Sequence, residues 1–191
     1  MGLHEKKQFY NLFYNKEMTK QELYNQFRDN HLELADFITA LSEYDFGKSY
    51  NDKWTPGQQL SHVYLCLQPI ARAMENKDFI IQKFGYIDRE VQDYDTIISH
   101  YTTTLLQGGK APDKFVPKGI TWVEKNALIK NFQELIAHFA FLFDNYSEKE
   151  LHSLILPHPL LGNLTLTEMF YLMTHHATHH LRQTQNNLNK G

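Results

Sequence analysis

The sequence predicts an all-α fold, a four-helix bundle with additional short helices, and three observations carry that expectation. The pattern Ser/Thr-x-x-Glu/Gln recurs at Thr19…Glu22, Thr55…Gln58, Thr121…Glu124 and Thr165…Glu168. In such a capping box the two side chains satisfy amide groups that the first helical turn leaves without partners. After each box, apolar residues recur at helical spacing, and no stretch shows a convincing strand alternation.

The first helix is expected from Lys20 to Ser42, with Leu23, Phe27, Leu34, Phe37, Ile38 and Leu41 facing inward. The second runs from Pro56 to Asn76. Pro56 stands at the first helical position, where its missing N–H costs nothing, and Pro69 is a candidate kink. A third helix is expected from Arg89 to Leu106 on the stripe Ile87, Val91, Tyr94, Ile98, Tyr101 and Leu105, stopped by Gly108-Gly109. The fourth, strongly aromatic, spans Trp122 to Tyr146, and Ser147…Glu150 starts a short extra turn. Leu156 to Asn163 is a proline-punctuated approach to the fifth helix, Leu166 to Leu188. Residues 1–18 read as an arm or short helix, and 19–191 as a single bundle domain.

The chain has 191 residues, of which 42% are hydrophobic and 14% aromatic, enough to build one core. A net charge of −3 and the lack of a long basic run argue against nucleic acid or an anionic membrane surface as partner. No apolar run approaches the ~20 residues of a membrane span. The single cysteine, Cys66, excludes an intramolecular disulfide and fits a reducing cytoplasm.

Four of the eleven histidines sit in His175-His176-Ala177-Thr178-His179-His180. With about 100° per residue and Met173 as reference, Leu166, Met169, Phe170, His176, Ala177, His180 and Thr184 fall within about 60° of it. Glu168, Tyr171, His175, Thr178 and Arg182 fall on the far side, and His179 lies on a flank. His176 and His180 therefore continue the apolar stripe. An inward pair buries ring nitrogens that each need a partner, and a divalent ion satisfies two at once. Two readings are open here: a metal site, or core histidines hydrogen-bonded to neighbours. A third ligand from another helix favours the first. His62, on a face with Cys66 and Pro69, is the best candidate, and His138 on the fourth helix competes. His4, His31, His100, His152 and His158 are expected to do surface or loop duty. Cys66, one turn beyond His62, lies near the presumed pocket. Nothing else nominates itself as a general acid or base.

Three segments resemble one family. Trp54-Thr55-Pro56-Gly57-Gln58-Gln59-Leu60-Ser61-His62, the lead-in His158-Pro159-Leu160-Leu161-Gly162-Asn163-Leu164-Thr165, and His176-Ala177-Thr178-His179-His180-Leu181-Arg182-Gln183 are similar, in this order, to motifs of DinB/YfiT-like proteins. The resemblance implies the bundle fold of a largely bacterial family and a three-histidine metal site at His62, His176 and His180. It implies no role in DNA binding. Members include thiol-dependent S-transferases, such as those using bacillithiol, and a mycothiol-dependent isomerase. Gln183 belongs to the last motif and, with His179, is expected to support the ligands.

Three neutral imidazoles leave a coordination position open, the arrangement of catalytic rather than structural zinc. An open position accepts water for hydrolysis or a thiol for group transfer. The expectation is a metal-dependent enzyme acting on a small molecule, a thiol S-transferase ahead of a hydrolase. A bundle that holds a metal or small ligand without chemistry is the alternative. The cofactor is a divalent ion, with zinc and nickel leading, the co-substrate a low-molecular-weight thiol, and a homodimer is compatible with a bundle.

Overall fold

A computed structural model describes residues 18–190, so the expected N-terminal arm lies, apart from Met18, outside the described residues. Four long helices make the bundle: α1 (Lys20–Thr39), α3 (Pro56–Met74), α6 (Lys125–Asp144) and α8 (Leu166–Leu188). Shorter helices fill the connections: α2 (Glu43–Gly47), α4 (Lys77–Lys83), α5 (Tyr94–Leu106) and α7 (Glu148–Ser153), with 3-10 turns at Asp113–Phe115 and Trp122–Glu124. Helix α1 packs between α8 and α6, and α3 closes the ring by packing on both; α5 lies outside against α8.

All the predicted capping boxes form. Thr19, Thr55, Thr121 and Thr165 each pair reciprocally with the Glu or Gln three residues on, as does Ser147 with Glu150 at α7. Helix α8 has the expected bounds, and α3 continues through Pro69. The core is a stack of rings: Phe27 meets Phe139 and Phe170 at centroid distances of 5.0 Å, and Phe143 meets Phe170 at 4.2 Å.

Several boundaries move for identifiable reasons. Helix α1 stops at Thr39 because the buried Lys125 ammonium donates to the carbonyls of Thr39 and Leu41, at 2.9 and 2.7 Å. A cation at a helix C-terminus meets its negative dipole end. Asn76 does not extend α3; its side chain accepts from the Phe79 amide and starts α4. Helix α5 begins at Tyr94, capped by Asp93, rather than at Arg89. Residues 89–92 are held in extended form because the fully buried carboxylate of Glu168 takes both Arg89 guanidinium nitrogens, at 2.6 and 2.8 Å, and the Gln92 amide at 2.7 Å. Ile87 and Val91 thus leave the helical stripe, and Ile97 and Tyr101 are the buried residues of α5. Glu168 and Tyr171, assigned to the solvent face of α8, are buried against these added elements.

The expectation of no strands is corrected by an antiparallel hairpin, β1 (Ile155–His158) and β2 (Gly162–Thr165), in register Ile155↔Thr165 to His158↔Gly162. Leu156 and Leu164 bury one face. Gly162 supplies the left-handed turn, φ +70°. His158 closes it, its Nδ1 accepting from the amides of Leu160 and Leu161 at 3.2 Å.

His31 is corrected from surface duty to core. It is fully buried beside Phe27 and Phe132, its Nδ1 donating to the Phe27 carbonyl at 2.6 Å. Burial pushes its pKa down to about 4. A folded-state pKa below the unfolded one gives stability that is complete above pH ~6.5 and lost as pH falls toward 4. The loss is about 3 kcal/mol at 1.36 kcal/mol per unit. Urea unfolding of wild type and His31→Leu across that window should show the variant with the flatter pH profile.

Gly57 sets the closest approach in α3. A Cβ there would stand 2.6 Å from Phe46 Cζ and 3.1 Å from Ile120 Cβ, and the Phe46 ring is itself buried. Gly57→Ala is therefore expected to cost about 1–3 kcal/mol by overpacking, read as a lower melting temperature.

Candidate functional site

The bundle brings three imidazoles together. His62 projects from the second turn of α3, and His176 and His180, one turn apart, from α8. His176 Nε2 lies 2.9 Å from His180 Nε2 and 3.2 Å from His62 Nε2. Among the described residues these three are the group of His, Cys, Asp or Glu side chains arranged to hold a metal ion, one ligand atom from each within 4.8 Å of the others. All three are buried, with 4–5% of their surface exposed. The inward reading of His176 and His180 is thus what the fold adopts, and His62, rather than His138, meets them.

Hydrogen bonds on the outer nitrogens set the tautomers. His62 Nδ1 donates to the Phe115 carbonyl at 2.7 Å. A carbonyl only accepts, so in the neutral ring Nε2 carries a bare lone pair. His180 Nδ1 donates to Oε1 of Gln59, whose own amide nitrogen donates to Gln183 Oε1 at 3.4 Å. Its Nε2 is therefore bare as well. A proton on His176 Nε2 can serve only one of these two lone pairs, and His176 Nδ1 is buried with no hydrogen-bond partner. A divalent cation takes all three lone pairs at once, so the donor set fits such an ion, as uncharged nitrogen ligands with a position to spare. Burial keeps the rings in that form. It pushes the pKa of His62 down, and those of His176 and His180 well below the ordinary value, with neighbouring imidazoles adding to the shift.

The remaining expected site residues divide. Cys66 Sγ lies 3.7 Å from His62 Nε2, and burial pushes its thiol up to about 12, so it stays protonated. His179 is half-buried beside His180, accepting from the Gln183 side chain at 2.8 Å. Gln183 reaches the cluster through Gln59 and touches no ligand of the three directly. His138 is corrected: it is part-exposed, pairs with Glu75 at 3.1 Å, and is absent from the site.

Other residues of the site carry no role in the sequence reading. Gln59 is 2% exposed and orients His180. Its signal was its place inside the Trp54–His62 motif, three residues before His62 on the same helical face. Trp54, from the same motif, packs its ring 4.8 Å from that of His62 and stacks on His180 at 6.2 Å. The Phe115 carbonyl comes from the Pro/Gly/Lys-rich loop, where no side-chain pattern announces it. Gln59→Leu keeps the bulk and removes the acceptor. A competition titration with a chelating dye is expected to show metal affinity about 10–100-fold weaker.

The cluster forms part of the wall of a cavity of about 710 Å³ between α3, α5, α8 and the hairpin. Its lining is mostly apolar and includes no Asp or Glu. His158, expected on a loop, lies here, its pKa pushed down to about 4 by burial. Tyr101 is here too, its hydroxyl pushed up to about 12 by burial, so it stays neutral. Among the described residues no helix is long and apolar enough to cross a membrane.

Comparison with known proteins agrees with this arrangement. A solved structure covering 92% of this chain and 91% of its own has a TM-score of 0.57 at 13% sequence identity. It is YfiT from Bacillus subtilis, described as a probable metal-dependent hydrolase with an unusual four-helix bundle topology. No curated protein matches. The family model of the DinB superfamily matches residues 26–184, a span that holds the three clustered histidines and all four bundle helices except the two ends. Because that model spans most of the chain, the chain belongs to the DinB superfamily.

Proposed function

We propose that the protein is a metal-dependent hydrolase of a mainly apolar small molecule, with His62, His176 and His180 holding one divalent cation such as zinc or nickel, which imidazole ligands accept along with iron and copper. The observation that carries this is the convergence of three Nε2 lone pairs on the wall of an apolar cavity. The description of YfiT, which shares the fold, supports the same reaction class. An ion held there lowers the pKa of the nucleophile it binds and polarises a carbonyl.

The chain's own residues do the rest. Phe115 and Gln59 fix the rings of His62 and His180, so the ligands need not reorganise. The apolar walls beside the buried histidines lower the local polarity and so strengthen charge interactions there. His158 accepts two amides at Nδ1, so its proton sits on Nε2, where it can donate a hydrogen bond to a substrate oxygen. In hydrolysis the water oxygen ends on the acyl carbon, the acyl–oxygen bond breaks, and a proton leaves with the alcohol.

One observation favours a second reading, thiol S-transfer: the lining holds no carboxylate to act as base. A thiol, far more acidic than water, demands less of one. Both are tested on the purified protein with each metal added back. Chromogenic esters report hydrolysis, and an electrophilic dye with low-molecular-weight thiols reports transfer. Turnover of esters that vanishes with chelator and in His62→Ala supports the first; thiol-dependent turnover alone selects the second. Stoichiometric metal with neither activity leaves a binding bundle.

A further inference from the structure

The cavity is far larger than the space a metal and a water need, and its shape follows from the helices that line it. Along α3 the lining runs from His62 through Cys66 and Pro69 to Ala73, about 16 Å at a rise of about 1.5 Å per residue. Helix α8 runs the other way beside it: Gln59 faces His180 and Gln183, while His62 faces His176. Its lining residues pass from His180 and His176 back to Met173 and Met169, again about 16 Å. The cavity is thus a trough with the imidazoles at one end. The other end is made by Ile70, Phe79, Phe84, Leu105, Leu160 and Met169, drawn from four helices or their ends and from the hairpin turn.

Resting on the hydrolase reading, we infer that this trough holds the unbranched acyl chain of a linear ester, its carbonyl at the histidines and its tail toward Phe79 and Phe84. Length selects a chain rather than a compact ring, since about 16 Å separates the ends. Polarity selects hydrocarbon along the middle of the trough, where Pro69, Ile70, Leu105 and Met173 line it, while the polar Arg72 and Asn76 stand exposed at its far rim. Charge excludes a cationic ligand: the lining has Arg72 and Lys114 and no carboxylate. Methionine side chains at Met169 and Met173 are flexible and adapt to chains of different length.

The test separates the occupant from the reaction. The full-length protein is titrated calorimetrically with straight-chain alcohols from butyl to dodecyl, which bind without being hydrolysed. Each added methylene is expected to tighten binding about fourfold until the chain fills the trough. Ala73→Trp blocks the far end, and dodecyl alcohol should then bind about 15-fold more weakly, the cost of about two methylenes kept in water. The same variant should shift the ester chain-length optimum toward shorter chains. Affinity that does not rise with length in the wild-type protein overturns the inference, whatever the variant does. Length-dependent alcohol binding with no ester turnover removes the hydrolase reading and leaves the linear apolar occupant standing.

Discussion

His176→Leu is expected to yield a folded protein that no longer retains metal. Elemental analysis should fall from about one ion per chain to none, since His176 Nε2 is the nitrogen that faces both of the others. The stability of the metal-free protein should change little. In that state His176 Nδ1 is a buried polar atom without a partner, and an apolar side chain of similar bulk removes its desolvation cost. The large effect appears on adding metal. A ligand at 100 times its dissociation constant stabilises the fold by about 2.7 kcal/mol, and this upward shift in melting temperature should be present in wild type and absent in the variant. A variant that still binds one ion with unchanged affinity would place the metal elsewhere.

The largest loss of stability is expected from Glu168→Ala. The carboxylate is fully buried, takes two bonds from Arg89, and accepts the amides of Gln92 and Thr165. Its removal takes away the Glu168 half of the α8 capping box, leaves Arg89 without its partner and frees the segment before α5. Arg89 keeps 35% of its side chain exposed, so the loss is expected at the low end, about 3 kcal/mol, of the range for breaking a buried pair. Arg89→Ala should also be costly, and the double variant less so than the sum of the two, because the second change removes a charge already stranded. Equilibrium unfolding of the three proteins measures the coupling. The acid limb follows from the same contacts. Burial pushes the Glu168 pKa up, but Arg89 and the two amides more than offset it, so the folded value lies below the ordinary one. Its contribution is present above the unfolded pKa and is lost as pH falls through the folded value. Glu168→Gln should flatten that limb.

These residues also mark what was legible in the sequence. Every helix start marked by a capping box was, because such a box is local: Thr165 and Glu168 are three residues apart and need no other part of the chain. The face of α8 that carries His176 and His180 was legible for the same reason, helical periodicity. Glu168's second task was not, since its partner Arg89 is 79 residues away, and that partnership, not local propensity, decides where α5 begins. The hairpin escaped because its strands are four residues each and one contains Pro157. Gln59 and the Phe115 carbonyl escaped as supporters of the site because each acts across the bundle. Local chemistry announced the imidazoles; only tertiary packing shows what holds them.

The separation of 114 residues between His62 and His176 has a consequence for biogenesis. The α3 imidazole leaves the ribosome long before the α8 pair, so a nascent chain offers a cation one nitrogen at a time. High-affinity chelation begins only when α8 docks. A cation at the proposed site would therefore be held only once the α8 imidazoles have been made and have met the one from α3.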